Sequence, residues 1–90
     1  MVFSEFGRRV EENGSRGTDH GAASCMLVAG SRVQGGLTGR HPSLEQLGDG
    51  DLVFTTDFRS VYATLLDGWL GTDADHLLGE PFPRLNLIRA

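Results

Sequence analysis

One segment of this chain has a strong period, and it constrains the fold more than anything else. Phe58, Val61, Tyr62, Leu65, Leu66 and Trp69 recur at the three- and four-residue spacing of a single helical face. Thr56 or Asp57 is a suitable N-cap, and a carboxylate there also complements the helix dipole. Gly71 is a suitable stop. The spacing therefore predicts an amphipathic helix over 57–70, its stripe facing a core and Trp69 reporting on that core. Gly68 weakens its last turn, since glycine costs up to about 1 kcal/mol there relative to alanine.

No other segment has this regularity. Thirteen of the 90 residues are glycine, about twice the usual share. That density predicts a loop-rich chain with short regular elements. Asn13-Gly14 reads as a turn. Cys25–Ala29 is a short apolar run, and Val2-Phe3-Ser4 reads as the end of a strand; both suit strands buried in a parallel sheet. An apolar strand opening the sequence suggests a segment of something larger, because an unpaired edge is a liability. Ser43 with Gln46 three residues on could cap a brief helical turn over 43–47. Asp73–Leu78 reads as a turn, and Leu85–Ile88 as a final edge strand.

Composition narrows the function classes. The chain has 8 basic and 12 acidic residues and no basic stripe, which argues against nucleic acid and anionic membrane as partners. No apolar stretch approaches the ~18 residues needed for a membrane span. Arg8-Arg9 is followed by polar residues, so the chain shows no export signal. Its one cysteine, Cys25, has no partner for an internal disulfide and reads as a small buried hydrophobe.

Chemical groups concentrate in two places. Ser4-Glu5-Phe6-Gly7-Arg8 puts a carboxylate, Glu5, at the end of an expected strand, where open α/β sheets bind ligands. Gly17-Thr18-Asp19-His20-Gly21 sets Asp19 and His20 between glycines that permit close approach. Asp and His suit zinc, manganese or iron. The plainer reading makes Asp19 a turn cap and His20 a solvated side chain. His41 and His76 match no structural zinc spacing. Arg8 or Arg40 is suited to an anionic substrate group.

These strings, in order, resemble a known family. Phe3–Arg8, Asn13-Gly14, Gly17–Gly21, Met26–Gly30, Gly35-Gly36, Thr56–Arg59 and Trp69–Gly71 together are similar to the C-terminal third of a bacterial sulfatase-like family of unknown function. That family is placed in the alkaline-phosphatase superfamily. The resemblance implies an α/β fold, with 1–90 a single C-terminal segment of a parallel, helix-flanked sheet. It implies a metal-dependent phosphate- or sulfate-ester hydrolase-like protein, with a divalent metal of the zinc or manganese class. His20, Asp19 and Glu5 would be the ligands from this chain. In one carry-over Asp19 and His20 both bind metal. In the other, Glu5 stands where an aspartate ligand usually stands and His20 is the later histidine. Phe6 then replaces a histidine, which alters the second metal position.

The superfamily's nucleophile and earlier ligands have no counterpart here. The resemblance therefore implies that the rest of the protein supplies them, that the isolated chain is not an enzyme, and that the full-length protein is exported. Its substrate would be an anionic ester. The alternatives are a non-catalytic α/β packing or oligomerisation module, or a truncated inactive product.

Overall fold

In the computed structural model, which describes residues 1–89, the chain has two short strands and two helices. Strand β1 is Gly7–Arg8 and strand β2 is His20–Gly21; helix α1 is Phe58–Gly68 and helix α2 is Ala74–Leu78. The two strands pair antiparallel, Gly7 with Gly21 and Arg8 with His20. The chain divides into two compact units, one of Met1–Val28 with Arg40–Thr55, the other of Ala29–Gly39 with Thr56–Ala90.

The parallel, helix-flanked sheet of an alkaline-phosphatase-like fold is thus corrected: the described sheet has two strands, and they run antiparallel. The expected central strands amount to one antiparallel bridge, Val2 to Leu27. Val2 stays 64% exposed and Leu27 67% exposed, so neither is a buried strand residue. Their apolar character fits a parallel strand only when further strands flank them, and none does among the described residues. Cys25, expected inside, is exposed.

The first unit is built on turns. Asn13 Oδ1 accepts from the Ser15 and Gly17 amides, and the Asn13 amide closes on the Gly17 carbonyl at 2.7 Å. Asparagine offers the backbone a local acceptor in this way, which makes it a turn residue. Arg16 is left with φ 65° in that loop. Ser43 Oγ accepts from the Glu45 and Gln46 amides, but no helix follows the cap.

The second unit carries the helices. Asp57 caps α1, accepting from the Arg59 amide at 2.9 Å. The helix is 11 residues long, shorter at its end than the apolar stripe predicts. It closes when the Thr72 amide reaches back to the Leu66 carbonyl across Gly71, at φ 67°. This is the left-handed residue that glycine supplies at a helix end. Trp69 is the C-cap and is 51% exposed, with the Arg32 guanidinium 5.5 Å from its ring centroid.

The face that α1 buries is Ser60, Ala63 and Thr64, not the large apolar stripe. Small residues let other chain approach the helix closely. Thr64 Oγ1 donates to the Ser60 carbonyl and accepts from the Leu85 amide at 2.9 Å. Leu85–Ile88 is correspondingly not a strand: Ile88 makes one antiparallel bridge with Val33, and Leu87 is buried. Asp73–Leu78, expected as a turn, contains α2, capped by Asp73 and ended by Gly79 at φ 84°. Ala74, at the start of α2, is fully buried. The buried apolar residues are Ala23, Ala63, Ala74 and Leu87, so no large side chain forms a closed centre among the described residues.

Candidate functional site

The two strings that concentrate chemical groups in the sequence are strand partners. Ser4–Arg8 contributes β1, Gly17–Gly21 contributes β2, and the ladder extends to a bond from the Arg9 amide to the Asp19 carbonyl at 3.0 Å. The pairing requires two glycines. A Cβ on Gly7 would lie 1.6 Å from the Ala23 carbonyl oxygen, and one on Gly21 would lie 2.7 Å from Asp51 Oδ1 and 2.9 Å from the Arg8 carbonyl carbon. Close backbone approach is what a glycine permits and any other residue forbids.

Asp51 secures the ribbon from below. Its carboxylate accepts from the Ala22 amide and from the Leu52 amide, each at 2.8 Å. It sits at the end of the tight turn Gly48–Asp51, and Arg9 Nη2 donates to the Asp49 carbonyl of that turn. Sequence reasoning passed over Asp51; the Gly48-Asp49-Gly50 string beside it was the available signal.

Three side chains stack on the ribbon. The His20 ring lies on the Phe6 ring with centroids 3.5 Å apart and planes 16° from parallel. The Arg8 guanidinium carbon is 5.2 Å from the Phe6 centroid, and Arg8 Nη1 donates to the Thr18 carbonyl at 2.8 Å. An arginine over an aromatic face is attracted by the ring quadrupole. Phe6 thus orders both groups, a role its sequence position alone did not reveal.

The expected ligands are placed as follows. Asp19 Oδ1 accepts from Asn13 Nδ2 at 3.1 Å. His20 is committed to its stack on Phe6, and Glu5 is exposed. Among the described residues no three His, Cys, Asp or Glu side chains gather in a group that could hold a metal ion. Glu5, Asp19 and His20, the expected zinc or manganese ligands, are not gathered into such a group among the described residues.

A separate open cavity of about 230 Å³ is lined by Ala23, Ser24, Cys25, His41, Pro42 and Leu52. His41 Nδ1 is 2.7 Å from the Pro42 carbonyl oxygen. In the second unit the charged groups are structural. The Arg59 guanidinium and amide hold the Asp57 carboxyl below its ordinary range. The Ala74 amide, and then Arg84, do the same for Asp67. Arg84 bridges Asp67 and Asp75 at 2.6 and 2.7 Å.

Comparison with known proteins places the chain. The family model described as a protein of unknown function, DUF1501, matches residues 1–84. The chain belongs to the DUF1501 family. No curated protein and no solved structure matches it. The DUF1501 match spans both motif strings and both helices, so the ribbon and the second unit belong to one family unit of sequence. Among the described residues no helix is long and apolar enough to cross a membrane.

Proposed function

We propose that this chain is the C-terminal segment of a metal-dependent phosphate- or sulfate-ester hydrolase-like protein, to which it adds part of the site and not the nucleophile. The observation that carries this reading is the ribbon. Two strings separated by residues 9–16, each picked out for its chemistry, lie side by side with Arg8 opposite His20. Ordered motifs that converge on one place are better support than any of them singly. His20, with Asp19 and Glu5, would supply part of the metal site; the other ligands and the nucleophile would come from chain beyond these residues, and export would follow the family resemblance. The test is His20→Ala in the full-length protein, assayed for metal content and for hydrolysis of phosphate and sulfate esters. Loss of both is expected; unchanged values for both would end this reading.

A second reading, a non-catalytic packing module, is favoured by one observation. Val2, Phe3, Leu27, Val53 and Phe54 of the first unit are all more than half exposed. Where such residues adjoin, as Val2 and Leu27 do, exposed apolar surface suits contact with a partner. Sedimentation of the isolated chain separates the two. Defined association with an inert His20→Ala variant favours packing, and a well-behaved monomer disfavours it.

A further inference from the structure

We infer that Arg8 and His20 form a recognition pair for a tetrahedral oxyanion, the phosphoryl or sulfuryl group of an ester. The choice of anion rests on the hydrolase reading above; the pair itself rests on the ribbon. Directly opposed residues of an antiparallel pair project from the same face with Cβ atoms about 5 Å apart. Arg8 and His20 are so opposed. Both residues are exposed, so an anion reaches them from solvent.

Each is also held in place before any ligand arrives. Arg8 is fixed by the Thr18 carbonyl and by the Phe6 ring, and His20 by its stack on the same ring. Side chains already ordered lose less entropy on binding. The Thr18 bond uses one guanidinium N–H, and the remaining donors form the fork that matches oxyanion geometry.

The arginines differ in their partners. Arg59 and Arg84 pair with carboxylates. Arg9, Arg32 and Arg89 turn toward backbone carbonyls of other segments. Arg8 belongs with this second group, donating to the Thr18 carbonyl and paired with no carboxylate among the described residues, and Asp19, next to His20 in sequence, accepts from Asn13. A permanent cation opposite His20 attracts an anion.

The test is a nuclear magnetic resonance titration of the 90-residue chain with inorganic phosphate, and separately with sulfate, in metal-stripped buffer at constant ionic strength. Saturable shifts at the Arg8 Nε–H and the His20 ring are expected. Arg8→Gln should weaken binding by about tenfold or more, as loss of a charge-assisted contact does. Arg16→Gln, in the neighbouring loop, should leave it unchanged. The two titrations tell which ester group the pair prefers. The proposal is overturned if neither anion shifts these groups, if the shifts appear only after zinc or manganese is added, or if the ribbon resonances show no ordered structure. Oxyanion binding together with a full-length protein that cleaves no ester would instead overturn the hydrolase reading and leave this pair standing. A full-length protein that cleaves esters but shows no binding at Arg8 would do the reverse.

Discussion

Gly7 and Gly21 face one another across the ribbon, and neither position has room for a Cβ. The obstruction at Gly7 is the backbone of Ala23, which has no softer alternative position. At Gly21 it is part side chain, Asp51, and part backbone, Arg8 and Arg9. The site therefore exists only because two backbones can come together at these points.

Gly21→Ala should destabilise the ribbon by roughly 1–3 kcal/mol, the usual cost of forcing atoms into a packed position. Hydrogen exchange at the Arg9 amide, which bonds to the Asp19 carbonyl, reads this directly. Combining Gly21→Ala with Asp51→Ala should recover only part of the loss, because the Arg8 and Arg9 backbone atoms remain in the way. Full recovery would show that the carboxylate alone enforces the glycine.

Asp51→Ala leaves the Ala22 and Leu52 amides without their carboxylate acceptor. Hydrogen bonds to a charged group are worth about 1.5–3 kcal/mol each when buried, and less where water can replace them. A loss of about 1–2 kcal/mol is expected for this half-buried residue, with Asp51→Asn milder. Exchange at the Ala22 amide is the measurement, and an unchanged rate would remove Asp51 from this account of the ribbon.

Thr64 tests the second unit. Thr64→Val keeps the shape but deprives the Leu85 amide of its acceptor, at a cost of about 1–3 kcal/mol. Thr64→Ser keeps the hydroxyl and should lose only about 1 kcal/mol for the missing methyl. Urea unfolding followed by Trp69 fluorescence distinguishes them. Equal losses in the two variants would mean the hydroxyl contributes nothing.

Acid should loosen the same unit. The Asp67 carboxyl is held below its ordinary value of 3.8 by the Ala74 amide and by Arg84. A depressed folded-state pKa gives stability that is complete above the unfolded value and is lost as pH falls through the folded one. Asp57 acts in the same sense through Arg59. Trp69 fluorescence should therefore report declining urea resistance as pH falls below 3.8. Asp67→Asn should flatten that decline, and a variant with the wild-type pH profile would remove Asp67 as its source. Asp57→Asn should flatten it further while preserving the cap, since asparagine caps as well as aspartate.

The sequence by itself determined the features that need only neighbouring residues. The α1 helix follows from its spacing, its Asp57 cap and its Gly71 stop; the Asn13 turn follows from a side chain that can bond its own backbone. Gly17–Gly21 stood out as a candidate because glycines and ionisable groups crowd one loop. What the helix buries was not legible. The stripe Val61, Tyr62, Leu65 and Leu66 is the stronger apolar signal, yet Ser60, Ala63 and Thr64 are the residues covered. Thr64 is met by the Leu85 amide, which arrives from far along the chain, and the period of one helix holds no information about that. The strands failed for the same reason: Val2 and Leu27 have the composition of a sheet interior, but burial needs flanking strands that the described residues do not provide. The pairing of Arg8 with His20, and Phe6 beneath both, likewise came only from the tertiary structure, because backbone register between distant segments is set by where two glycines let the chain close.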